Sequence, residues 1–163
     1  MTGKMENIRH LGIVVENINK SLVFYRDLLG LKIKRDMKEK GSYIDKVLGL
    51  RKVNVRTVKL AAKDGCLIEL LNYHFPVSKK AGKNRINDIG CSHVAFTVKN
   101  IEKEYLFLSN KGVIFNSRPQ ESEDGLVKVV FCRDPDGTFV ELVEILKKNK
   151  TIGKAMKHKG AKQ

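Results

Sequence analysis

Two histidines and two glutamates stand at matching places in two stretches of this chain. HLGIVVENINKSLVF, starting at His10, aligns without a gap on HVAFTVKNIEKEYLF, starting at His93. DGCLIELL, starting at Asp64, aligns on DGTFVELV, starting at Asp136, and pairs Glu69 with Glu141. Each of the four is a polar residue in an apolar, strand-like context, where it must find a partner. A single histidine beside a single glutamate is satisfied by one hydrogen bond, or by facing solvent. The recurrence of both residue types points further, because two imidazoles and two carboxylates form a common donor set for divalent transition metals.

The elements that must carry these residues follow from local patterning. Matched blocks in the same order indicate an internal duplication, with only two copies and therefore no solenoid. The first copy predicts a strand over 8–15 and a helix over about 18–29 with Asn17 as its N-cap and Gly30 as its stop. Strands near 31–37, 53–62 and 66–72 follow, with a DG turn before the last. The second copy predicts strand 91–98, a helix capped by Asn100 that ends near 110 before Gly112, and strands at 113–116, 126–133 and 138–145. GSYIDKVLGLRK, from Gly41, lengthens the first copy and predicts a short inserted helix. The implied organisation is a first module over 1–76, a linker over 77–90, a second module over 91–146 and a basic tail over 147–163.

Strand parity then groups the side chains. His10, Gly12 and Val14 share one face, and His93, Ala95 and Thr97 share the equivalent face in the second copy. Glu69 falls with Leu67 and Leu71, and Glu141 with Phe139 and Val143. The small neighbours Gly12, Ala95 and Thr97 leave room for a ligand. Arg56 and Arg133 are weaker candidates for holding a carboxylate, and Tyr43, Tyr73 and His74 for bordering a cavity.

Composition sets outer limits. Of 163 residues, 42% are hydrophobic and 31% charged, an ordinary balance for a globular domain. No run is long and apolar enough to span a bilayer, and the N-terminal stretch has no signal-peptide core, so a cytoplasmic protein is expected. Cys66, Cys91 and Cys132 lack CxxC spacing and read as small buried hydrophobes rather than a disulfide or thiolate-zinc framework. The formal charge is +14, but seven lysines lie from Lys147 onward; the remainder holds 25 basic and 18 acidic residues, or +7. A basic body favours a small, anionic substrate by steering. The tail lacks interleaved aromatics, so no specific nucleic-acid partner is expected. Neither a GxGxxG loop, a Walker A loop nor a serine elbow is present.

These residues resemble the vicinal oxygen chelate superfamily, which includes glyoxalase I, methylmalonyl-CoA epimerase, extradiol dioxygenases and bleomycin-resistance proteins. The resemblance spans about residues 6–146. It rests on H-x-G-I-x-V from His10, S-x-x-F-Y-x-x-x-L-G from Ser21 to Gly30, and DPDG-x-x-x-EL from Asp134 to Leu142. It implies an α+β fold of two tandem βαβββ modules, forming a curved mixed sheet around a central cavity with helices outside. It implies His10, Glu69, His93 and Glu141 as ligands of one divalent metal ion (Ni, Co, Zn, Mn, Mg or Fe), and a homodimer. A fourth ligand at Glu69 matches the four-ligand glyoxalase and epimerase type, implying a lyase or isomerase that works through a metal-stabilised enediolate. Glu69 and Glu141 are then candidate bases. An extradiol dioxygenase and a non-catalytic drug-binding protein are the alternatives within the resemblance. Val14 stands where glutathione-dependent glyoxalase I carries an arginine, so the substrate pocket differs there.

Overall fold

In a computed structural model that describes residues 5–77 and 85–146, the duplication is visible as two four-stranded sheets of identical order. The first consists of β1 (Leu11–Val14), β2 (Lys32–Lys40), β3 (Asn54–Ala61) and β4 (Leu67–Phe75), arranged β1-β4-β3-β2. The second consists of β5 (His93–Val98), β6 (Gln120–Glu121), β7 (Val127–Arg133) and β8 (Phe139–Ile145), arranged β5-β8-β7-β6. In the first sheet β1 runs parallel to β4, and the β2–β3 and β3–β4 pairs are antiparallel. This is the α+β, two-module architecture that the duplication implies. The tail and half of the linker, residues 147–163 and 78–84, lie outside the described residues.

Helix α1 (Ile18–Leu22) starts where Asn17 leaves the extended region and its side chain accepts from the backbone N–H groups of Asn19 and Lys20. Those are donors that the first turn cannot satisfy internally. The helix continues in π geometry over Val23–Leu28 rather than as the uninterrupted α-helix that the periodicity suggests. The wider turn brings Phe24 and Tyr25, adjacent in sequence, both into the interior, at 3% and 0% exposure. Helix α3 (Ile101–Asn110) repeats the start: Asn100 accepts from Lys103 N, and the Glu144 carboxylate accepts from Ile101 N at 2.7 Å. Both helices stop at glycines with positive φ, Gly30 at +75° and Gly112 at +82°, a conformation that a Cβ disfavours.

By contact density the chain divides into two compact units, Met1–Val94 with Arg133–Phe139, and Ala95–Cys132 with Val140–Gln163. In the first unit, α1 packs on β4, and the buried apolar residues Ile18, Leu22, Tyr25, Val58, Leu60, Ile68 and Leu70 form the core. Each such side chain contributes about 1.5–3 kcal/mol through burial. In the second unit, Ile101, Leu108, Val130, Cys132 and Leu142 are equally buried.

Two sequence expectations need correction. Residues 113–116 form no strand; a single bridge joins Phe115 to Cys132, and the short edge strand is Gln120–Glu121 instead. Of the cysteines only Cys132 is buried, whereas Cys66 is exposed at the hairpin turn and Cys91 is half-buried. A turn residue gains nothing from an apolar side chain, so the apolar run after Cys66 misled the reading.

The inserted helix α2 (Ser42–Leu48) matters for the site. Its Ile44 packs with Val53 and Val55, and Leu48, Leu71 and Tyr73 close over them. Val55, Leu71 and Tyr73 alternate with residues on the helix-covered side, so α2 walls the opposite face of the first sheet. Asp45 fixes this wall by accepting from Lys52 N at 2.9 Å and Val53 N at 2.7 Å.

Candidate metal site

His10 lies one residue before β1, and Glu69 is the third residue of β4. Parallel pairing of Gly12 with Glu69 brings the end of β1 alongside the carboxylate. His10 Nε2 stands 2.9 Å from Glu69 Oε2, with their side chains 30% and 12% exposed. A Cβ at Gly12 would sit in ordinary contact with Leu71 Cδ1, at 3.4 Å.

The other Glu69 oxygen faces a residue that the sequence reading passed over. Lys59 Nζ lies 3.1 Å from Glu69 Oε1, and Lys59 is the direct ladder partner of Glu69 across β3–β4. Further along the same face, Thr57 Oγ1 donates to Glu39 Oε2 at 2.9 Å. Burial, and then the carboxylates of Glu69 and Glu39, push the Tyr73 phenol up from its ordinary value, so it stays neutral and able to donate.

The remaining candidates are placed as follows. His93 opens β5, is exposed, and with Ser92, Val94 and Thr138 lines a shallow depression along Leu11–Val14. Glu141 sits half-buried in β8, in the second unit. Among the described residues, no group of three or more His, Cys, Asp or Glu side chains stands close enough to hold a metal ion. Arg56 is paired with Asp36 at 2.7 Å, and that guanidinium holds the Asp36 carboxyl below its usual range. Arg133 lies over the Phe139 ring and donates to Gly137 O. Tyr43 and His74 are exposed.

The His10–Glu69 half fits a divalent ion in its donor types and spacing. Two N and O donors bound at right angles to one metal, with bonds of 2.0–2.2 Å, stand about 3 Å apart, close to the separation seen here. The other ring nitrogen, His10 Nδ1, is buried without a hydrogen-bond partner among the described residues.

The comparison with known proteins agrees with the strand order. Residues 7–142 match the model of the Glyoxalase/Bleomycin resistance protein/Dioxygenase superfamily. The chain belongs to that superfamily. Among curated proteins, the lactoylglutathione lyase of Schizosaccharomyces pombe is 32% identical over 145 residues. That match covers 83% of this chain but 46% of the yeast protein, so the chain spans about half the length of this relative. Among solved structures, a glyoxalase family protein from Bacillus cereus superposes with a TM-score of 0.82 at 23% identity, covering 90% of this chain and 98% of that one. A fosfomycin resistance protein from Listeria monocytogenes, solved with Mn(II) and sulfate, gives 0.59 at 13% identity, with 88% and 95% covered. Glyoxalase superfamily members of such low identity to this chain share its fold. No helix among the described residues is long and apolar enough to cross a membrane.

Proposed function

We propose that this glyoxalase superfamily member is a divalent-metal-dependent lyase or isomerase acting on a small substrate with two vicinal oxygens. The observation that carries the reading is the His10–Glu69 contact on one sheet face, with His93 and Glu141 at the matching positions of the second repeat. His10 and Glu69 hold one side of the metal. The completing pair, His93 and Glu141, comes from a second repeat, of the same chain or of a second copy in a homodimer.

A bound divalent ion supplies polarisation of the two substrate oxygens, which acidifies the intervening C–H. The protein supplies the base. Glu69 or Glu141 takes a proton from the carbon beside the carbonyl and returns it to the neighbouring carbon. The neutral Tyr73 phenol is a donor on the same face for a substrate oxygen.

Calorimetric titration of Mn(II) or Ni(II) into chelator-treated full-length protein tests the binding step. Solvent-deuterium exchange at the C–H of an α-hydroxyketone and of a methylglyoxal hemithioacetal, followed by NMR, tests the chemistry. The reading requires metal uptake that falls in Glu69→Gln, and exchange that depends on added metal. Absence of uptake sinks it. Oxygen consumption with catechols in place of proton exchange would move the protein to the ring-cleaving dioxygenases of the superfamily.

A further inference from the structure

We infer that Lys59 is a substrate-recognition residue whose ammonium receives an anionic group, carboxylate or phosphate, carried by the substrate beside its vicinal oxygens. The inference rests on the metal reading above and deepens it by naming the substrate class.

Lys59 is held close to the proposed metal by register rather than by chance of rotamer. It stands directly across the β3–β4 ladder from Glu69, its Nζ lies 3.1 Å from Oε1, and its side chain is only 22% exposed. A half-buried ammonium needs a counter-charge. Among the described residues, the ladder positions around Lys59 on this face offer one carboxylate only, that of Glu69. Along β3 its neighbours are Thr57 and Ala61, on β2 they are Arg35, Met37 and Lys32, and on β4 Leu67 and Leu71 flank Glu69. Arg35, the β2 ladder partner of Lys59, adds a second positive charge. Glu39, the next acid on the face, is occupied by Thr57.

A divalent cation on Glu69 changes this balance. The carboxylate charge is then shared with the metal, and Lys59 is left beside a cation with its former counter-charge largely consumed. The arrangement is stable when an incoming ligand brings negative charge of its own. The α2 wall of Ile44, Val55, Leu71 and Tyr73 strengthens the demand, because apolar surroundings raise the worth of a direct ion contact over a hydrated one. Lys59 therefore selects, among compounds with vicinal oxygens, those bearing an acid within reach of Nζ.

Three chelating probes test this on Mn(II)-loaded full-length protein: neutral acetohydroxamate, succinyl monohydroxamate and phosphonoacetohydroxamate. Wild-type protein should bind at least one acidic probe about tenfold more tightly than acetohydroxamate, the scale of one charge-assisted contact. Lys59→Met should bring all three within about twofold while Lys59→Arg keeps most of the preference, as a retained cation requires. Preference for succinyl over phosphono probe, or the reverse, names the anion. Equal weakening of all three probes in Lys59→Met, or a preference that survives it, overturns the assignment. Mn(II) binding and melting temperature of each variant separate these outcomes from misfolding. Failure of wild-type protein to bind Mn(II) at all would remove the metal reading and the assignment with it.

Discussion

His10 Nε2 and Glu69 Oε2 lie 2.9 Å apart, joined across a parallel strand pair. This contact is the one on which the proposed metal site rests. Under the proposed metal reading, removing either side chain removes a ligand as well as this contact. His10→Ala and Glu69→Gln should each weaken Mn(II) or Ni(II) binding by about 100-fold or more, beyond the 10–100-fold typical of outer-sphere changes. Thermal stability without metal should move far less, since both side chains are partly exposed. Calorimetry and melting curves on the same preparations check both halves.

A second relationship ties the π segment that follows α1 to the DPDG turn within the first unit. The Tyr25 hydroxyl donates to Asp134 Oδ2 at 3.0 Å, while Asp134 Oδ1 accepts from Asp136 N and Thr138 N. Burial pushes the Asp134 carboxyl above its ordinary value, against the lowering by these donors. An acid with a raised folded-state pKa favours the protonated native form. Its contribution to stability is therefore complete below the unfolded carboxyl's pKa and is lost as pH rises through the raised native one. Asp134→Asn keeps the acceptor and cannot ionise. The stability of wild type relative to Asp134→Asn should thus fall between acid and neutral pH, and urea unfolding at a series of pH values measures it. Tyr25→Phe, which strips a buried carboxylate of one donor, should cost about 1–3 kcal/mol at neutral pH.

The two helix starts give an internal comparison. Asn17 accepts from two backbone donors, whereas Asn100 accepts from one and shares the helix terminus with Glu144. Asn17→Ala and Asn100→Ala should each cost about 1 kcal/mol, the usual worth of an N-cap. Asn100→Ala should be the milder of the two, because Glu144 still satisfies Ile101 N. Chemical denaturation of the pair checks the order.

Much of this architecture was legible before any coordinates, and for physical reasons. Asn17, Asn100, Gly30 and Gly112 are local signals that each act within a turn, and each sits where the sequence reading put it. The His10–Glu69 contact was implied by duplication together with strand parity. Lys59 was not legible, because its relation to Glu69 exists only through the β3–β4 register. That register is set by the Ala62–Cys66 turn, where Ala62 N bonds Cys66 O, and not by any feature of Lys59 itself. The π segment over Val23–Leu28 was hidden for a similar reason. Its periodicity is close to that of an α-helix over so few residues, and the demand to bury both Phe24 and Tyr25 comes from the sheet beneath. The 113–116 stretch has strand-forming residues but meets β7 only at the Phe115–Cys132 bridge and the adjoining Asn116 N to Phe131 O bond.

The α2 wall makes the last prediction. Ile44 is 8% exposed and its contacts are to Val53 and Val55, on the face that carries Glu69 and Lys59. Truncating it to alanine leaves a cavity that the short helix cannot collapse to fill, at a cost of about 2–5 kcal/mol for a buried isoleucine. Asp45→Ala acts differently, by freeing Lys52 N and Val53 N while leaving the apolar contacts in place. Both should speed hydrogen exchange in residues 42–53 while exchange in β4 next to β1 stays slow, because β4 is held by ladders on both sides. Exchange that accelerated equally across the whole first sheet would show α2 to be an integral part of the sheet's stability instead of a wall laid upon it.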